Sequence, residues 1–115
     1  MELLEIMKAL SHENRLRILN LIKDEQLCVC EIEYVLDINQ SNASRHLNKL
    51  KQANLIEGER KAQWIYYEIN QKVIKQHKFL ELIINKELKE LTICKEDEIK
   101  LKEYQNSGLS CQDFD

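Results

Sequence analysis

The sequence predicts a mainly α-helical chain with a β-hairpin wing, a winged helix-turn-helix that pairs as a homodimer. Three observations predict it. Apolar residues recur at helical spacing over most of a 115-residue chain that has no Pro and only two Gly, Gly58 and Gly108, so few breakers interrupt its helices. Two short helical patterns meet at the turn Asp37-Ile38-Asn39, and the second has one apolar face and one hydrogen-bonding, cationic face. Two extended runs follow, the second rich in Trp64, Ile65, Tyr66, Tyr67 and Ile69, as strands prefer.

The first helix carries Leu3, Leu4, Ile6, Met7 and Leu10, and Ser11 is the expected N-cap of a second, which carries Leu16, Ile18, Leu19, Leu21 and Ile22. The polar link Lys23-Asp24-Glu25-Gln26 ends it. A third helix from about Val29 to Leu36 buries Ile32, Val35 and Leu36. Asn39 caps a fourth, Gln40 to Ala53, in which Ala43, Leu47 and Leu50 form one apolar stripe. Strands at Leu55 to Arg60 and Gln63 to Ile69 place the hairpin tip at Lys61-Ala62. After Asn70, the positions Val73, His77, Leu80, Ile84, Glu87 or Leu88, and Leu91 advance by alternating steps of about three and four, a seam for helix-on-helix pairing with a second copy. Residues 1–93 are therefore expected to form the DNA-binding and dimerisation domain. Residues 94–115 are expected to be an acidic, partly disordered tail, broken at Ser107-Gly108.

With 43% apolar and 32% charged residues, the chain suits one compact domain. No apolar run approaches the roughly 18 residues of a membrane span, and the acidic start Met1-Glu2-Leu3-Leu4-Glu5 is unlike a secretory signal, so a cytoplasmic protein without a membrane partner is expected. The net charge of −3 conceals a division. Residues 1–36 carry −3, residues 37–86 carry +4 and residues 87–115 carry −4. Charges beyond about 8 Å are largely screened at physiological salt, so the positive middle governs what binds there. That points to double-stranded operator DNA. Ser41, Asn42, Ser44 and Arg45 stand at the N-terminal end of the fourth helix, where such helices meet bases; Arg45 suits guanine, and Asn42 or Gln40 suits adenine. Lys49, Arg60 and Lys61 suit phosphates. His46 joins this set, although beside Leu47 it can equally cover the hydrophobic edge.

Three stretches, Ala9-Leu10-Ser11-His12-Glu13-Asn14-Arg15-Leu16-Arg17-Ile18-Leu19, Gln40-Ser41-Asn42-Ala43-Ser44-Arg45-His46-Leu47 and Tyr66-Tyr67-Glu68-Ile69, resemble the ArsR/SmtB family of metal-responsive repressors. The resemblance runs over about residues 3–91. It implies a homodimeric winged-helix fold, operator binding without metal, and release when an ion binds. The wing departs from the family, because Arg60-Lys61-Ala62-Gln63 lacks the glycine common at that tip.

Four cysteines stand at 28, 30, 94 and 111. Cys28 and Cys30 are too close to brace a fold by pairing, and they fall at the start of the third helix, where a helix N-terminus favours the thiolate. Thiolates prefer soft ions, and the resemblance likens Cys28-Val29-Cys30 to the inducer site of the family's arsenite, cadmium and lead sensors. Residues two apart on a regular helix point about 200° from each other, so one ion shared by both sulfurs demands an irregular or unwound helix start. Arsenite is the favoured inducer. Trivalent arsenic prefers three sulfurs, and the third cysteine of some arsenite sensors is here Glu33, which leaves Cys94 or Cys111, of the same or the other subunit, to complete the set. Cadmium or lead with further ligands, and thiol oxidation, are the alternatives. With no phosphate loop, acid/base pair or Cys-x-x-Cys beside a βαβ unit, an enzyme is not expected, nor is an organic cofactor.

Overall fold

The computed structural model describes residues 2–114. Its first two helices, α1 (Glu2–Leu10) and α2 (Glu13–Ile22), turn about Ser11 and His12. The cap of α2 is His12 rather than Ser11. His12 takes extended angles and its Nδ1 accepts the Asn14 N–H at 3.1 Å, while the Ser11 hydroxyl bonds back to the Lys8 carbonyl. Ile18, Leu19, Leu21 and Ile22 of α2 are buried in the core.

A two-residue strand, β1 (Leu27–Cys28), precedes α3 (Val29–Leu36). Asp37 then enters the left-handed region (φ 55°), its N–H bonded to the Glu33 carbonyl, and turns the chain into α4 (Gln40–Gln52). Asn39 caps α4 as expected, its side chain accepting the Asn42 N–H at 2.8 Å. Ala43, Leu47 and Leu50 face the core.

The wing is β2 (Ile56–Lys61) and β3 (Trp64–Ile69), registered from Ile56 opposite Ile69 to Lys61 opposite Trp64. Its two-residue tip is therefore Ala62-Gln63, one position later than expected. Ala62 takes φ 57° there, a conformation two-residue hairpin turns normally assign to glycine or asparagine. β1 pairs antiparallel with the far edge of β3, giving the order β1-β3-β2.

Beyond Asn70, which caps α5 (Gln71–Gln76), come α6 (Lys78–Leu82), a π-helical turn at Ile83–Glu87, α7 (Leu88–Glu90), α8 (Thr92–Ser107) and a 3-10 turn at Cys111–Phe114. The C-terminal region departs from the expected arrangement in two ways. The expected seam is not one continuous helix, because His77 and Leu91 both take extended angles. Leu80, Ile84 and Leu88 are 0–3% exposed within their own chain, so they are not free to meet a partner. The apolar side chains left exposed in this region are Leu3, Leu4 and Met7 of α1, with Leu82 and Leu91.

The tail departs from expectation as well. Residues 92–107 are a helix docked on α2 and α3 rather than a loose extension of a domain ending at residue 93. One face of α8 buries Cys94, Asp97 and Tyr104. Asp97 is paired with Arg17 of α2, and Lys23 meets Glu98 at 2.8 Å. No helix among the described residues is long and apolar enough to cross a membrane.

Candidate metal centre and nucleic-acid interface

The pairing of β1 with β3 fixes Cys28 in an extended conformation (φ −84°, ψ 164°) at the N-cap of α3, where Glu31 accepts its backbone N–H at 3.0 Å. Cys30 is the second residue of the helix. The chain changes direction between the two residues, and their Sγ atoms come to 2.8 Å. The 200° divergence expected of a regular helix does not arise, because Cys28 is not helical. No unwinding is needed for one ion to reach both sulfurs.

The 3-10 turn returns Cys111 to the same place. Its Sγ contacts those of both Cys28 and Cys30, and all three lie within 4.8 Å of one another. One sulfur forms one disulfide, so Cys111 cannot be oxidised to both partners. The cluster holds either one disulfide beside a thiol or three thiol donors. Metal–thiolate bonds are about 2.3 Å, so two sulfurs on one ion lie no more than about 4.6 Å apart, a limit the Cys28–Cys30 pair satisfies. Among the described residues no His, Asp or Glu joins this donor set. The donors thus fit a soft, thiophilic ion.

Cys94 stands apart from the cluster. It is fully buried on α8, and burial, with Asp97 nearby, pushes its thiol up to about 11, so it is a poor source of thiolate. Of the two cysteines left open as a third donor, the fold brings in Cys111.

Aromatic residues that sequence reasoning missed wall the cluster. Phe114 stacks on Tyr34 of α3 with ring centroids 4.8 Å apart, and Tyr104 of α8 packs against both rings. The Tyr104 hydroxyl donates to Glu31 at 2.6 Å, and burial together with this bond holds its phenol above the ordinary range. A cleft of about 390 Å³ opens beside Cys30, reaching Gln40 at the start of α4 and Trp64 of the wing. The helical spacing of Tyr104 behind Cys94 and Asp97 was the available signal for this wall.

On the proposed DNA face, Gln40, Ser41, Arg45 and Lys49 are exposed along α4, with Asn42 and Ser44 half-buried beside them. Arg45 Nη2 donates to Asn42 Oδ1 at 3.0 Å, which aligns two candidate base-reading groups. Arg60 and Lys61 are exposed on the wing, where Lys61 donates to Gln26 at 2.6 Å and lies 5.3 Å from the Tyr66 ring centre. His46 does not belong with them. It is 1% exposed, its ring lies 4.2 Å from that of His12, and neither ring nitrogen has a hydrogen-bond partner among the described residues. Burial, with His12 second, pushes it down to about 4, so it is neutral and covered at physiological pH.

Residues 12–58 match the model of a family described as bacterial regulatory protein, arsR family. The chain is 39% identical over 69 residues to the arsenic resistance transcriptional regulator ArsR1 of Pseudomonas putida, a match covering 59% of this chain and 54% of that protein. It is 38% identical over 79 residues to the cadmium resistance transcriptional regulatory protein CadC of Listeria innocua, covering 68% and 65%. The chain thus spans between half and two thirds of those relatives. Among solved structures it is similar to the homodimeric winged helix-turn-helix DNA-binding domain of a possible ArsR-family regulator from Mycobacterium bovis. That likeness has a TM-score of 0.64 at 26% identity and covers 79% of this chain and 85% of that one.

Proposed function

Because the chain belongs to the arsR family of bacterial regulatory proteins, we propose that it is a DNA-binding repressor, released from its operator when a thiophilic ion, arsenite before others, binds Cys28 and Cys30. The observation that carries this reading is the 2.8 Å approach of those two sulfurs at the start of α3. That helix leads through the Asp37 turn into α4, so a ligand at its start acts on the support of the recognition helix. Two copies present two α4 helices to successive major grooves, with Arg45, Asn42 and Gln40 at base edges and Lys49, Arg60 and Lys61 on phosphates. The chain acts by binding and release, with no catalytic step.

Cys28→Ser and Cys30→Ser test it. Both should keep operator affinity, since neither residue lies on the exposed face of α4, and both should lose release by arsenite, since a hydroxyl is a poor ligand for a soft ion. A double variant that leaves its operator at the parent's arsenite concentration refutes the reading.

Cadmium or lead is the second reading for the ion, favoured by the likeness to a cadmium resistance regulator. Oxidation is a third, favoured by the 5.9 Å Cα separation of Cys30 and Cys111, inside the usual disulfide range. In that case two thiols lose two protons and two electrons to a peroxide. Parallel titrations of operator binding with arsenite, cadmium, lead and peroxide separate the three.

A further inference from the structure

We infer that Cys111 is the third ligand of the sensor site, delivered by the chain's own C-terminal arm, and that the site is thereby a three-sulfur cup suited to three-coordinate ions of the arsenite and antimonite kind. This rests on the proposed role of Cys28 and Cys30 and adds to it the donor that sets coordination number.

The arm is built to return. α8 ends at Gly108, whose φ of 80° reverses the chain. The Asp113 carboxylate accepts from both the N–H and the hydroxyl of Ser110, closing the turn that holds Cys111. Phe114 stacks on Tyr34 of α3, the helix that carries Cys30. Cys111 is buried there at 5% exposure, although the arm on either side of it is open to solvent at Ser110 and Gln112. An exposed arm that buries one cysteine against two others is an arrangement that a ligand shared by all three explains.

The surroundings argue for three donors and not four. Among the described residues no His, Asp or Glu joins the three sulfurs as a fourth donor, and both oxygens of Glu31 beside the pair are engaged, one by the Cys28 N–H and the other by the Tyr104 hydroxyl. A tetrahedral divalent ion needs a fourth ligand, whereas a trivalent pnictogen with its lone pair is satisfied by three thiolates. Binding is balanced as displacement: As(OH)3 and three thiols give an As–S3 centre and three waters, with no change of oxidation state.

Arsenite and phenylarsine oxide distinguish a third ligand from a bystander. Phenylarsine oxide has one position already filled by carbon and needs only two thiolates. In the full chain, Cys111→Ser should weaken arsenite binding about a hundredfold, as expected when an intramolecular ligand is lost, and should leave phenylarsine oxide binding unchanged. Arsenic X-ray absorption should count three sulfurs in the parent and two in the variant. Cys94→Ser should change neither. Cys111→Ala must repeat the pattern, which guards against a folding defect peculiar to one substitution. Arsenite binding by both Cys111 variants at parental affinity, or two sulfurs in the parent, overturns the inference while leaving the pair intact. Arsenite binding by the Cys28→Ser, Cys30→Ser double variant would instead defeat the underlying reading.

Discussion

The guanidinium of Arg17 grips Asp97 with two hydrogen bonds, 2.8 Å from Nε and 2.9 Å from Nη2, and Nη2 also reaches the Leu36 carbonyl at the end of α3. One side chain thus fastens α8 to both α2 and the last turn before the recognition helix. The pair is well shielded, at 14% and 4% side-chain exposure. Asp97→Ala should therefore destabilise the fold by about 3 kcal/mol, the usual consequence of leaving a buried charge unpaired. Urea unfolding checks this, and a loss below about 1 kcal/mol, as for a surface pair, would show that α8 is not held this way.

Arg45→Ala should reduce affinity for the cognate operator by roughly 1–3 kcal/mol while sparing random DNA, because base contacts specify and phosphate contacts do not. Lys61→Ala should weaken all DNA alike and flatten the salt dependence. Equal losses on both kinds of DNA for both variants would remove Arg45 from base reading.

His46 makes the fold sensitive to acid. Its folded pKa, about 4, lies below the ordinary 6.5, so between those values the unfolded chain binds the extra proton. Stability is full above pH 6.5 and falls as the pH drops toward 4, by about 3 kcal/mol from this residue. His46→Leu should remove that component and, by retiring two unpartnered ring nitrogens, cost little at pH 7. Unfolding followed by pH in parent and variant tests it; parallel curves would assign the acid sensitivity elsewhere.

Dimerisation should run through α1 and its neighbour α6 rather than the buried seam. Leu3, Leu4, Met7 and Leu82 are 46–57% exposed, and a groove of about 480 Å³ between Met7, Leu10, Phe79, Ile83 and Leu91 adjoins them. Met7→Glu should yield monomers in sedimentation and weaken operator binding. A parent that is monomeric at micromolar concentration contradicts this.

The helix-turn-helix was legible because its determinants are local: the cap at Asn39, the stripe of Ala43, Leu47 and Leu50, and the strand-rich run after Trp64. His46 was misplaced although it stands three residues after Ala43 and four before Leu50, on the same stripe, because its polarity was weighed above its position. The seam at Leu80, Ile84 and Leu88 announced a covered face, but a stripe does not say what covers it. α8 looked solvated because its buried face includes Asp97, whose neutralising partner is 80 residues away. Distance in sequence likewise left Cys94 and Cys111 level as third donors, since no spacing rule links either to Cys28 and Cys30.

Cys111 stands 81 positions from Cys30 and 83 from Cys28. An ion held by all three would close a ring of chain around the helix-turn-helix, the wing and α8. By chain-entropy reasoning, a cross-link enclosing that many residues removes about 4–5 kcal/mol of freedom from the unfolded ensemble. The inducer would then guard the molecule as well as dislodge it. Repressor taken off DNA would resist proteolysis best while the ion is abundant, and would stand ready to rebind once the ion is cleared, without fresh synthesis.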